Sequence, residues 1–321
     1  FKYEKKMENK GRLEIIAKYM KDFKPVSIIK NKSNSMIFKT KQFHANIQKN
    51  DDGSDKTIFQ CCQKIYEKID NGGFEYETDG LIFTPIDKSV GAYSLGEPDN
   101  NKTWTLSFKW KPPEFNTIDF LVTIKKDKTG KDEIHHVFQD GINMATSKNL
   151  IQYKTLILHC GFNRKEHGYI NPMLDVINNE LPSPGGENEK NYQPVAFQPT
   201  NPYDPNASLC NVELIENGTG GMVLLTKEHE YFEGDMIVEF SYDRNKTGPW
   251  RWVPLRVRYD KTNDLRSNGS NFGNAYHVAN SNWRSIHNPI TSTMITTGQN
   301  IPAYSGDEDV YYNRTGKDTN T

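Results

Sequence analysis

The sequence is poor in the features that mark several large protein classes. Among its 321 residues are only four cysteines, Cys61, Cys62, Cys160 and Cys210. Two are adjacent and none has Cys-x-x-Cys spacing, which argues against a disulfide scaffold or a zinc site and fits a reducing compartment. An excess of one charge is missing too: 40 Lys and Arg against 41 Asp and Glu leave a formal net charge of −1. No global basic field exists to hold nucleic acid without specificity, so any anion site must be local. No apolar run reaches membrane-spanning length and no signal peptide opens the chain, so neither a membrane partner nor secretion is expected. Triplets such as Asn217-Gly218-Thr219 arise by chance in so asparagine-rich a chain and do not argue for secretion. The first residue is Phe1 rather than Met, which suggests a piece of something longer.

What is present is a polar chain, mean hydropathy −0.78, that still holds 16 Phe, 16 Tyr and 5 Trp, too many aromatics for disorder. The length suits about two domains. "GRLEIIAKYM" reads as a short helix with Leu13, Ile16 and Tyr19 on one face. From Thr57, the residues Ile58, Phe59, Cys62, Ile65, Tyr66 and Ile69 recur at helical spacing, and Gly72-Gly73 supplies the stop. The pattern then turns to short β runs: "YETDGLIFTPI", "TWTLSFKW", "TIDFLVTI", "YKTLILHCGF" and on through "PWRWVPLRVRYD". The stretch 179–207 reads as a long loop or insertion, and the tail after Gly306 as a linker. No internal repeat is found. The expectation is α+β, becoming mostly β, with a seam just after Pro112-Pro113, because proline cannot donate to a sheet ladder.

Three segments carry chemistry. In "KWKPPEF", Lys109 and Lys111 lie two apart and would project from one strand face, with Phe108 and Trp110 on the other. Two neighbouring ammonium groups repel unless something negative sits between them; the bland alternative is a solvated strand face. In "TDGLIF", Asp79 and Gly80 precede an apolar run, so the carboxylate could hold a divalent metal or a ribose hydroxyl; the bland alternative is an Asp-Gly turn. In "RWVPLRVRYDK", Arg256 and Arg258 would share a strand face with Asp260. Arginine pairs with phosphate oxygens through a planar fork that Asp260 could hold in place; the alternative is an edge strand charged against aggregation. Two further segments read as negatives. "GTGG" at Gly218–Gly221 lacks the following helix of a phosphate loop and reads as a turn. His135 and His136 are adjacent and would face opposite ways in a strand.

Taken together and in order, these segments resemble the covalent nucleotidyltransferase superfamily, which comprises mRNA-capping guanylyltransferases and ATP- or NAD-dependent ligases. "DGLIF" is similar to its motif IV, "FKWKPPEF" to motif V and "RVRYDK" to motif VI. The Trp-Lys-Pro and Arg-x-Asp-Lys forms are those of capping enzymes. "GDMIVEFSYD" and "PYDPNA" look like capping-enzyme neighbours, and the resemblance covers roughly residues 75 to 290. "NFGNAYHVANSNWRSIHNPIT" resembles the segment after motif VI in capping enzymes of large DNA viruses, where a cap methyltransferase is fused further on.

The resemblance implies a fold and a division of labour. Residues 1–114 would be the C-terminal half of a nucleotidyltransferase domain, ligase-like and unlike an ATP-grasp. Residues 115–290 would be a β-rich OB-fold domain with insertions, and 291–321 a linker. The implied reaction moves GMP from GTP to the 5'-diphosphate end of RNA through a covalent lysyl-GMP intermediate. Asp79, beside Gly80, would hold Mg²⁺ or Mn²⁺; Lys109 and Lys111 would contact the α-phosphate. Arg258 and Lys261, with Arg256 nearby and Asp260 bracing, would orient the departing β- and γ-phosphates. An RNA triphosphatase and a cap methyltransferase are implied as fused or associated partners. The implied place is the cytoplasm, or a viral factory or virion for a viral chain.

One motif is absent: the family's nucleophile lies in Lys-x-Asp-Gly. "KIDNGG" from Lys68 and "KNDDG" from Lys49 both miss its spacing and fall too close to motif IV. The nucleophile is therefore expected upstream of Phe1, and this chain by itself is not expected to guanylylate itself. Two alternatives stay open: an ATP-dependent polynucleotide ligase of the same superfamily, and a non-catalytic RNA-binding β module.

Overall fold

The computed structural model describes residues 12–22, 41–45, 49–86, 88, 91, 104–138, 150–168, 176–177 and 192–299. The chain divides into two compact units, residues 1–73 and 74–321. The double proline lies inside the second, where Pro113 opens a 3-10 turn, Pro113–Phe115.

Among its described residues the first unit holds two helices, both legible from periodicity. Helix α1 (Arg12–Asp22) has Glu14 in its first turn and Lys21 in its last, each matching the helix dipole. Helix α2 (Ile58–Asp70) starts at a reciprocal cap. The Thr57 hydroxyl accepts from the Gln60 N–H at 3.2 Å, and the Gln60 side chain accepts from the Thr57 N–H at 2.8 Å. Its inward residues are Cys61 and Cys62, both buried. Gly72, at φ +62°, ends it in the left-handed conformation that glycine adopts without strain.

The second unit is α+β. A two-stranded antiparallel ribbon, β1 (Leu81–Phe83) with β2 (Phe108–Trp110), precedes a larger antiparallel sheet. The sheet's strands are β3 (Thr117–Ile124), β4 (Ile134–Phe138), β5 (Leu150–Phe162), β6 (Gln193–Ala196), β7 (Leu209–Glu216), β8 (Met222–Leu225), β9 (Tyr231–Phe232), β10 (Met236–Tyr242) and β11 (Trp252–Val257). Their order is β11-β10-β3-β5-β7-β8-β9, and β4 and β6 also pair with β5. The sheet curls back on itself. Backbone N–H groups of Lys227 and Glu228, in the β8–β9 turn, donate to the carbonyls of Pro254 and Leu255 in β11 at 2.9 and 3.0 Å. This nearly closed antiparallel barrel is compatible with an OB-fold.

The core follows from alternation. Ile118, Phe120 and Val122 of β3 are fully buried beside Leu156, Leu158, Phe240 and Trp252. Among its described residues the unit also holds the helices α3 (Arg164–His167), α4 (Tyr259–Asn268), α5 (Tyr276–His287) and α6 (Ser292–Thr297). Trp283 of α5 is fully buried in that core and donates its indole N–H to the Pro202 carbonyl at 2.8 Å. The opposite face of β3 is covered as well: Leu121 meets Ile237 and Phe272, with Leu265 of α4 against them. A central strand buried on both faces explains the near-continuous apolar run of "TIDFLVTI". All four cysteines are free and buried, and burial pushes the Cys160 thiol up to about 12. Among the described residues no helix is long and apolar enough to cross a membrane.

Three sequence expectations are corrected. The β run through "RVRYD" stops at Val257; Arg258 caps α4, so Asp260 and Lys261 belong to a helix. A three-residue alternation of charge and apolar side chain suits a strand and a first helical turn equally. Here the turn wins because Thr262 is buried, its hydroxyl accepting from the Ile237 N–H at 3.0 Å. The expected loop 179–207 contains β6, which pairs with residues 159–162 of β5. Finally, "YETDGLIFTPI" and "TWTLSFKW" contribute only three strand residues each, β1 and β2. Residues after 299, including the tail beyond Gly306, lie outside the described residues.

Candidate functional site

The ribbon brings Asp79 to the paired lysines. Lys109 stands opposite Ile82 in the β1–β2 register, and Lys111 follows the strand directly. The Lys111 ammonium lies 2.8 Å from the Asp79 carboxylate. That hydrogen bond, with a smaller contribution from the charge of Lys109, holds Asp79 below the usual carboxylate range. Asp79 thus neutralises Lys111 and leaves Lys109 without an ion pair among the described residues. Gly80 earns its place sterically. At φ +148° it passes so close to β2 that a Cβ would sit 2.0 Å from the Trp110 carbonyl oxygen. The Trp110 indole donates to the Ile290 carbonyl at 2.7 Å, tying the ribbon to the segment after α5.

Among the described residues no group of three or more His, Cys, Asp or Glu side chains could hold a metal. Asp79 is a lone carboxylate with an exposed side chain. That does not make a protein cage for an ion. It does suit Mg²⁺ in its usual phosphate-borne mode, where one or two carboxylates suffice.

The second set lies at the start of α4. Arg258 grips Asp260 with two parallel N–H···O bonds, Nε to Oδ1 at 3.2 Å and Nη2 to Oδ2 at 3.0 Å, and turns Nη1 to Asp119 of β3. Lys261 donates to the same Asp119 oxygen at 2.7 Å. The Arg258 pairing keeps Asp260 low, and Arg258 is held above its ordinary value mainly by Asp260. Arg256 stands apart. It pairs across β11–β10 with Glu239 at 2.7 Å, and Glu239 also accepts from the Thr117 hydroxyl at 2.6 Å. Burial pushes Glu239 up, but Thr117 and Arg256 outweigh it and leave the carboxyl low.

Asp119 is the residue that sequence reasoning missed. Its backbone N–H donates to the Asn274 side-chain oxygen at 2.7 Å, and its carbonyl accepts from the Asn274 N–H at 2.7 Å. Gly273 (φ +83°) allows this approach, since a Cβ there would meet the Asp119 carbonyl oxygen at 2.4 Å. So "NFGNA" serves here as a clamp on β3. The available signal was a carboxylate inside the apolar run "TIDFLVTI", because buried Asp is rare unless paired.

Among the described residues no hydrogen bond or ion pair links the ribbon set to the Arg258 set. Lys109, Trp110 and Lys111 instead border a cleft of about 700 Å³ together with Arg251, Arg284 and Tyr203. The two bland readings hold. Gly218–Gly221 is a hairpin turn folded around the Asn217 side chain, and His135 and His136 alternate across β4.

No protein-family model matches the chain. A protein of Acanthamoeba polyphaga mimivirus named "Probable mRNA-capping enzyme" is 30% identical over 251 residues, covering 74% of this chain and 18% of that protein. The mRNA-capping enzyme of African swine fever virus is 24% identical over 232 residues, covering 68% of this chain and 22% of that protein. The mRNA-capping enzyme of Danio rerio is 31% identical over 108 residues, covering 31% of this chain and 16% of that protein. The chain thus spans about a fifth of the length of these relatives. By sequence, this chain is a relative of a segment of the mRNA-capping enzymes, of the type carried by large DNA viruses.

Proposed function

We propose that this chain is the part of an mRNA guanylyltransferase that handles the phosphates of GTP. A lysine upstream of Phe1 would attack the α-phosphorus. The bond to the β-phosphate oxygen breaks, pyrophosphate leaves, and GMP stays on the lysine as a phosphoramidate. A terminal oxygen of the RNA 5'-diphosphate then attacks the same phosphorus, the P–N bond breaks, and the lysine regains its proton. Such transfer depends mostly on positioning and charge stabilisation.

Lys109 and Lys111 would grip the α-phosphate oxygens. Arg258 and Lys261 would orient the leaving phosphates once the barrel closes over the nucleotide, with Asp260 holding the arginine fork. Asp79 would hold a Mg²⁺ or Mn²⁺ ion brought in on the nucleotide, which would neutralise charge developing on phosphate oxygens. The half-domain that the ribbon belongs to is nucleotidyltransferase-like in this reading. A triphosphatase must supply the 5'-diphosphate end, and a cap methyltransferase would act on the product.

The observation that carries the proposal is the ribbon. Asp79 of "TDGLIF" and Lys111 of "KWKPP", 32 positions apart, meet as an ion pair, and Lys109 and Lys111 both border an open cleft. The test is adduct formation with GTP labelled at the α-phosphate, in the complete protein that contains this chain. Wild type takes up label from GTP, and Lys109→Ala lowers uptake by about 10²–10³. Normal labelling of the variant counts against the assignment. Labelling from ATP instead favours a ligase, and no labelling of wild type favours a non-catalytic RNA-binding module.

A further inference from the structure

We infer that the cleft between the ribbon, the 201–204 loop and α5 binds the single-stranded 5' end of an RNA. The inference rests on the capping reading for its location and on the cleft's own chemistry for its ligand. Under that reading the α-phosphate sits at Lys109 and Lys111. The RNA diphosphate must reach the same point, and the cleft is the space into which both lysines open.

The walls suit a nucleic acid strand. Five cationic side chains line the cleft, Lys109, Lys111, Arg244, Arg251 and Arg284, against one carboxylate, Asp204. The whole chain carries a formal net charge of −1, so this is the kind of local basic surface its composition requires of any anion site. His287, also in the wall, is held down to about 4 by burial and by the nearby Arg244 and Arg251. It is neutral at pH 7 and adds no charge. Two of the cations are uncommitted: the side chains of Lys109 and Arg284 make no hydrogen bond or ion pair to any described residue, and both are exposed. Lys111, by contrast, is shared with Asp79.

Aromatic rings share the lining with these charges: Tyr203, 47% exposed, and Trp110 and Tyr242, both half-buried, border the same cleft. The Arg251 guanidinium lies 5.9 Å over the Tyr242 ring, which holds it in place beside the cleft. Basic groups interleaved with rings are how single strands are held without base readout: the charges follow the backbone while the bases stack. The amides of Asn116, Asn201 and Asn288 offer hydrogen bonds for ribose hydroxyls or phosphates. An acidic peptide would answer the charges but offer nothing to stack on the exposed Tyr203 ring, so the RNA is favoured.

The test is equilibrium binding of a fluorescent oligoribonucleotide with a 5'-diphosphate to this chain, read by anisotropy across a salt series. Arg284→Ala is expected to weaken binding several-fold and to lower the slope of log K against log salt by about 0.7, the loss of one phosphate contact. Tyr203→Ala is expected to weaken binding about tenfold with the slope unchanged, the loss of one stack. Both side chains are exposed, and unchanged thermal melting would confirm that the variants fold. Lys128→Ala, in the β3–β4 turn and outside the cleft, serves as the control. The inference is overturned if neither variant weakens binding more than the control does, or if an acidic peptide displaces the RNA. Failure of the capping reading has a different signature: no label transfers from GTP in the complete protein, whatever the RNA affinity.

Discussion

Two clusters of charge dominate the second unit, and they are built on opposite principles. Around Asp119 the charges are enclosed: the carboxylate side chain is 8% exposed, and Arg258 and Lys261 are 25% and 22% exposed. Every group there has a protein partner: the carboxylate accepts from Arg258 and Lys261, and the Asp119 backbone is fixed by its bonds to Asn274. On the ribbon the charges are open, Lys111 at 45% and Asp79 at 72%, and Lys109 has no protein partner among the described residues. Exposed pairs contribute about 0–1 kcal/mol, so the ribbon's charges are not there for stability. The enclosed cluster is there at least partly for stability, because it fixes the start of α4 against β3.

That difference can be broken experimentally. The largest effect is expected from Asp119→Ala, which leaves the largely enclosed Lys261 without its carboxylate and Arg258 with Asp260 alone, and should cost about 3 kcal/mol in denaturant unfolding. A loss below about 1 kcal/mol would put Asp119 in the same class as the ribbon. Next is a pH effect at His287, whose ring packs at a tilt of 41° against Trp283 with centroids 3.9 Å apart. Its folded-state pKa, about 4, lies below the ordinary 6.5, so the unfolded chain takes up a proton first. The stabilisation is complete above about pH 6.5 and drains away as pH falls towards 4, to a total of at most about 3 kcal/mol. Melting temperatures at pH 7 and pH 5 should differ less in His287→Gln than in wild type; an equal difference removes His287 as the cause. The smallest effect is expected from Asp79→Asn, under about 1 kcal/mol in stability, while GTP labelling of the complete protein falls. A variant that unfolds easily yet labels normally would reverse the comparison.

The sequence reading reached different depths in these regions. Helix α2 was legible because its apolar spacing and its glycine stop lie within 17 consecutive residues, Thr57 to Gly73. Strands β3 and β5 were legible because burial on both faces leaves a run of apolar residues that little else imitates. "RVRYDK" was misread because six residues do not separate a period of 2.0 from one of 3.6. The decision came from Thr262, buried beneath Ile237 some 25 positions away. The ribbon was half legible: its lysines posed an electrostatic question, but the answer, Asp79, came only with the β1–β2 pairing.

The sequence by itself determined the character of the parts: a near-neutral, cysteine-poor, aromatic-rich chain, an early helix, apolar strands, and Lys-Trp-Lys-Pro and Arg-x-Asp-Lys segments that resemble those of capping enzymes. Those are properties of neighbouring residues, set by local propensity and period. The tertiary structure decided which charges meet. It put Asp79 with Lys111, joined Asp119 to Arg258 across 139 positions, and left Lys109 and Arg284 facing a common cleft. Charges that far apart in sequence find one another only when strand pairing and helix docking bring their backbones together, and no local pattern encodes that register.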